Sequence, residues 1–189
     1  MTEVDLKKRR FLQVAGAWGT LGVLGAAWPF LQSLAPNRST RLKGLPVSLD
    51  VSSMGEGEQK TVLWRGKPVW VIKRSTEDVE ALKAPKHTLR DPNSDDPQQP
   101  QYAKNYYRSI DPNYLVLLGV CTHLGCAPTY RPEKGAIDDD WQGGFFCSCH
   151  GSKFDLAGRV FSGVPAPTNL EVPPYYFKDG QLIVGEDGE

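Results

Sequence analysis

Cys121-Thr122-His123-Leu124-Gly125-Cys126 and Cys147-Ser148-Cys149-His150-Gly151-Ser152 are the two stretches on which the reading of this chain turns. Twenty residues separate them. Each box offers a thiolate and an imidazole within one turn of chain, plus one further cysteine. All four cysteines lie between positions 121 and 149, too local for a disulfide framework spread over a small secreted fold. The pattern is that of a metal site, to be read together with the two neighbouring histidines.

Four ligands of two kinds from two loops are what a 2Fe-2S centre with one Cys-ligated and one His-ligated iron requires. Neutral imidazole in place of thiolate removes negative charge from such a cluster and raises its potential. It also leaves a titratable N–H on each histidine, available at the surface. Cys126 and Cys149 are spare, and in an exported domain they can close a disulfide between the loops if their Cα atoms come to about 5.5 Å. Gly125, Gly151 and the Gly143-Gly144 pair are expected to let backbone approach the sulfurs. Ser152 can donate a hydroxyl hydrogen bond to one of them. The rigid run Gly163-Val164-Pro165-Ala166-Pro167 is placed to cover the site.

Structural zinc is the main rival, since Cys and His in fours also bind zinc. Cys-x-His with Cys-x-x-His is an unusual zinc spacing, and zinc leaves Cys126 and Cys149 unexplained. A disulfide-only domain leaves His123 and His150 unexplained.

Outward from the boxes the chain is strand-rich. Residues 115–120 are a continuous apolar run, a buried strand leading into Cys121. Residues 47–51, 61–64 and 69–73 alternate or carry β-branched and aromatic side chains, with residues 65–68 as the turn between the last two. Residues 175–177 and 181–184 flank Asp179-Gly180, a hairpin signal. Only residues 75–84 read as helix in this part, with Ser75 or Thr76 as N-cap. Residues 85–112, rich in Pro, Asp, Asn and Gln, read as a long surface excursion, and His87 within it as a solvated loop residue.

At the other end, no charge interrupts residues 11–37, and the run 11–34 is long enough to cross a hydrocarbon core of about 30 Å. Lys7-Lys8-Arg9-Arg10 before it favours a cytoplasmic N-terminus, placing the chain beyond Leu34 in an oxidising compartment. Lys8-Arg9-Arg10-Phe11-Leu12 is an imperfect twin-arginine export signal. Ser33-Leu34-Ala35 resembles a cleavage site, but Pro36 would follow the cut, so the segment reads as an uncleaved anchor. Residues 35–46 turn to Pro, Asn, Ser, Thr, Arg, Lys and Gly, the composition of a tether. With 189 residues the chain holds one ordinary domain plus this tail. Its zero formal net charge gives no nucleic-acid footprint.

Taken together these residues resemble the Rieske subunit of cytochrome bc complexes, the quinol:cytochrome c oxidoreductases. The resemblance spans the chain: basic N-terminus, anchor, tether, both boxes, and the proline loop with Pro-Ala-Pro-Thr-Asn-Leu-Glu-Val-Pro-Pro at 165–174. It implies an all-β Rieske-type head of antiparallel sheets at 47–189, a small cluster-binding subdomain at about 119–168, and one N-terminal transmembrane helix at 11–34. It further implies one 2Fe-2S cluster, with Cys121 and Cys147 on the buried iron, His123 and His150 on the outer one, and Leu124, Gly125 and Ser152 around it. Cys126 and Cys149 would be the disulfide. His150 would meet the quinol, expected to be ubiquinol, and then the c-type cytochrome. The implied setting is a dimeric complex with a cytochrome b subunit in the bacterial inner membrane, its Rieske head in the periplasm, contributing to proton translocation.

The chain departs from the family in three places. Ser148 stands where the family usually has proline. Phe154 stands where many members have a tyrosine whose hydroxyl donates to a ligand sulfur. The spacer holding Glu133-Lys134-Gly135-Ala136-Ile137-Asp138-Asp139-Asp140 is longer than in mitochondrial relatives and resembles bacterial ones. Soluble Rieske ferredoxins and oxygenase domains generally lack both the spare cysteine pair and the anchor.

Overall fold

The computed structural model describes residues 5–37, 44–85 and 88–188. His87 and the central tether residues 38–43 lie outside the described residues. The chain divides into an N-terminal unit, residues 1–42, and a second unit, residues 43–189.

The first unit is one helix, α1, Leu6–Ser33. Asp5 caps it, its carboxylate accepting from the backbone N–H groups of Lys7 and Lys8. The helix therefore starts before the expected span, taking the basic run Lys7–Arg10 into its first turns. Its 28 residues reach about 42 Å at 1.5 Å each, and its composition is apolar enough to cross a membrane. Its apolar side chains are exposed on every face within this unit, as suits a segment whose solvent is lipid.

The second unit is built from three antiparallel sheets of three strands each. In the first, β1 (Val47–Asp50) and β8 (Tyr175–Lys178) flank β9 (Gln181–Val184). The second has β2 (Gln59–Trp64), β3 (Lys67–Lys73) and β4 (Tyr114–Leu118) in that order. The turn between β2 and β3 is tighter than expected: only Arg65 and Gly66 are outside the strands, both at positive φ (51° and 76°). That twist suits a two-residue hairpin, and it releases Lys67 and Pro68 into β3. The third sheet orders β5 (Thr129–Arg131), β6 (Gly144–Cys147) and β7 (Ser152–Phe154), and it carries the second box.

The core lies where β3 and β4 meet the first sheet: Val69, Val71, Ile72, Leu115, Val116, Leu117, Tyr175, Leu182 and Val184 are all fully buried. Trp70 on β3 stacks on Phe145 of β6, ring centroids 5.4 Å apart, and joins the second sheet to the third. Such stacking adds about 1 kcal/mol to the burial itself. Helix α2, Thr76–Ala81, is shorter than the sequence pattern suggested; Ser75 and Asp78 close a capping box at its start.

The described residues of the stretch 85–112 run largely along the surface, as expected, but are anchored into the fold at intervals. Leu89, Asp91, Ser94, Ala103, Arg108 and Ser109 within it are buried. Asp91 accepts from the N–H groups of Asp95 and Asp96 and from the Asn169 amide, so the polar residues serve to satisfy backbone inside the fold. Arg108 donates to the carbonyls of Ala157, Gly158 and Gln98 and to the side chain of Gln99. Arg74, at the end of β3, likewise holds the carbonyls of Tyr107, Pro112 and Leu156 and the Ser109 hydroxyl. Burial pulls both guanidinium groups down to about 10. Two buried cations held chiefly by carbonyl dipoles thus fasten the excursion to the turn after β7.

Candidate metal centre

β4 ends at Leu118, and the chain enters the first box through Gly119 and Val120. The Cys121 N–H donates to the Cys126 carbonyl (2.7 Å), and the Gly125 N–H returns to the Cys121 carbonyl (3.0 Å). The second box repeats this: the Gly151 N–H donates to the Cys147 carbonyl (2.9 Å). Gly125 and Gly151 both sit at left-handed φ, 81° and 78°. Each box is thus a closed five-residue turn starting at a buried cysteine and ending at a glycine. A Cβ on Gly125 or Gly151 would meet no other atom of the chain within 4 Å, and their left-handed φ is one that glycine adopts without strain. Gly143 and Gly144 do sit against backbone, but that of Pro132 and Phe154 respectively.

The two turns converge. The Sγ atoms of Cys126, Cys147 and Cys149 lie within 4.8 Å of one another. Cys126 and Cys149 are bonded as a disulfide with Cα atoms 6.7 Å apart, inside the usual range though longer than the central value. Oxidised to each other, they are not thiolate ligands. Cys121 and Cys147 are free thiols, each 2% exposed. Burial, and then a hydrogen bond with Cys121, push the Cys147 thiol up. Both thiols are thus shielded from water, and a metal cation would take them as thiolates with release of protons.

The imidazoles of His123 and His150 stand at right angles with centroids 4.6 Å apart. Nδ1 of His123 is buried and has no hydrogen-bond partner among the described residues. An orphaned buried ring nitrogen, two residues along the chain from the buried Cys121, fits a metal-bound group, because coordination would satisfy it. The donor set that remains, two thiols and two imidazoles, matches the 2Fe-2S type with mixed ligation. His150 is exposed, and so is Leu124, 71% accessible although it is apolar.

The proline loop is fastened to both boxes. Thr122 donates its hydroxyl to the Thr168 carbonyl (2.7 Å), and the Ala166 N–H donates to Ser152 Oγ (3.0 Å). Ser152 and Ala166 are both fully buried. The Thr122 contact escaped the sequence reading, since a threonine between two ligands carries no mark of its own. So did the arginine staples, whose residues sit in polar surroundings that resemble solvated chain.

Three short antiparallel sheets with two cysteine–histidine turns tied by a disulfide define a Rieske-type iron–sulfur protein. The Rieske [2Fe-2S] domain family matches residues 97–174. The ubiquinol-cytochrome c reductase iron-sulfur subunit of Allochromatium vinosum is 52% identical over 99% of this chain and 93% of that protein. That of Bradyrhizobium diazoefficiens is 39% identical over 94% of each. A chain of a hyperthermophilic respiratory complex III superimposes with a TM-score of 0.50 at 25% identity, covering 89% of this chain and 96% of that one. The chain belongs to the Rieske iron–sulfur subunits of bacterial ubiquinol-cytochrome c reductases. It is an iron–sulfur electron-transfer subunit of a quinol:cytochrome c oxidoreductase complex.

Proposed function

We propose that Cys121 and Cys147 through Sγ, and His123 and His150 through a ring nitrogen, hold the 2Fe-2S cluster, with the histidines on the outer iron. The unpartnered Nδ1 of His123, in a ring whose centroid lies 4.6 Å from that of His150, together with a buried free thiol in each box, carries this reading. When bound, the cluster supplies one-electron chemistry in the Rieske span of about −150 to +300 mV. The rest belongs to the chain. His150, at the surface, offers Nε2 to a quinol hydroxyl, accepting the hydrogen bond and then the proton as the electron leaves the quinol. Leu124 gives the same face an apolar contact for the cytochrome b subunit, and Pro165 and Pro167 keep water off the sulfurs. The head, on the periplasmic side of an anchor at residues 11–34, then delivers its electron to a c-type cytochrome within a dimeric complex. Ubiquinol is the substrate that the relatives' names favour.

The test is spectroscopic. Replacing His123 or His150 with alanine is expected to abolish the EPR signal of the dithionite-reduced protein, and the unaltered protein should hold about two irons and two acid-labile sulfides per chain. A normal signal in either variant removes that residue from the ligand set. A colourless, zinc-loaded protein would overturn the cluster assignment itself.

A further inference from the structure

We infer that the spacer between the two boxes and the segment at residues 88–90 form an outer brace for the proline loop, and that this brace positions the Ser152 hydroxyl toward the cluster. The inference rests on the ligand reading above. It begins at Arg90, an exposed residue outside both boxes, whose guanidinium donates to the Val164 carbonyl (3.2 Å). The same segment is laced to the chain just before the proline loop: the Arg90 N–H donates to the Val160 carbonyl (3.0 Å), and the Ser162 N–H donates to the Thr88 carbonyl (2.8 Å). Leu89 pairs with Phe161 between them.

The spacer grips the loop from another side. Leu89, Trp141 and Phe161 form a buried apolar cluster against which Ile137 and Val164 pack. Trp141 is 1% exposed, and its indole N–H donates to the Arg131 carbonyl (3.0 Å), which fixes the ring. Asp138 pairs with Lys153, the residue after Ser152 in β7, so the spacer also holds the strand that carries the serine.

Val164 is therefore held two residues before Ala166, whose N–H donates to Ser152 Oγ. A hydroxyl has one proton and two lone pairs. With one lone pair taken by Ala166, the proton turns away from the proline loop. Ser152 lies opposite Cys147 in the β6–β7 register, so the second box is on hand to receive that proton. Displacing Val164 loosens Ala166, frees the hydroxyl to rotate, and weakens the bond that favours the reduced, more negative cluster. Arg90 and Ile137 are thus positioning residues that act through Ser152.

The experiment is an EPR-monitored redox titration of the full-length, cluster-loaded protein. Ser152→Ala is expected to lower the midpoint potential. Arg90→Ala and Ile137→Ala should each produce a smaller downward shift, and no further shift once Ser152→Ala is present. Arg90 is exposed, so its variant keeps the question open to measurement even if Ile137→Ala fails to fold. If Ser152→Ala lowers the potential while Arg90→Ala leaves it unchanged, or shifts it equally in both backgrounds, the brace is overturned and the Ser152 contact stands. If Ser152→Ala changes nothing, the contact fails and the brace falls with it.

Discussion

Phe154 lies across from Phe145 in the β6–β7 register, is fully buried, and is two residues from Ser152 on the same strand. Side chains at i and i+2 of a strand share a face, so Phe154 points to the side on which Ser152 lies. A tyrosine there would bring a phenolic O–H into a dry site, where it must find an acceptor or destabilise the fold. Cluster sulfur is the acceptor this face is proposed to offer, and a hydrogen bond to sulfur stabilises the reduced state. Phe154→Tyr is therefore expected to raise the midpoint potential, and the native protein to sit below tyrosine-bearing relatives within the Rieske span. Voltammetry of the two proteins decides it, and an unchanged or lower potential in the variant would show that the hydroxyl does not reach the sulfur.

At the scale of the elements, Gly144 and Gly125 separate two kinds of glycine that look alike in sequence. A Cβ on Gly144 would lie 2.0 Å from the Phe154 carbonyl oxygen, whereas one on Gly125 meets no other atom of the chain within 4 Å and strains a φ of 81°. Gly125→Ala should then cost about 1–2 kcal/mol, the left-handed penalty. Gly144→Ala should part β6 from β7 and lose the cluster outright, which visible absorbance after purification will show. This difference also marks what the sequence could reveal. The boxes were legible because ligand chemistry is local, and the Asp179-Gly180 turn because positive φ at both residues favours such residues. The depth of 85–112 was not, because Tyr102 and Arg108 anchor it to residues far along the chain. Tyr102 Oη accepts from the Tyr175 N–H, and Tyr175 Oη from the Ile110 N–H. Burial pushes Tyr102, and Tyr130 on β5, up to about 12, and Tyr175 up as well. A phenol whose folded value is raised contributes stability that is whole below pH 10 and is lost as pH climbs toward 12, because the unfolded chain gives up its protons first. Urea unfolding of the head should thus show a flat midpoint to about pH 10 and a steep fall above it; a midpoint unmoved at pH 11.5 would contradict the burial of these phenols.

For the molecule as a whole, function joins a cluster-bearing head to an anchor that stays in the bilayer. The resemblance implies that the head must reach a quinol site in cytochrome b and then a haem some distance away, which one fixed position does not serve. A chain segment that permits such travel needs weak local structure, and residues 35–46, with Pro36, Asn37, Ser39, Thr40 and Gly44 and no apolar period, have the composition for it. The proposal is mechanical, so it separates from the chemistry of the site. Replacing several residues between 37 and 43 with proline leaves every proposed ligand in place and converts the segment toward a stiff, extended form of about 3.1 Å per residue. The expected result in the assembled complex is an EPR spectrum and midpoint potential equal to those of the unaltered protein, with quinol-to-cytochrome electron transfer slowed at least tenfold, a barrier increase of about 1.4 kcal/mol. Flash-initiated or stopped-flow reduction of the c-type cytochrome measures the rate. Undiminished transfer with an unchanged spectrum would mean that the head serves both sites without swinging. A changed spectrum would instead place the tether's influence on the cluster.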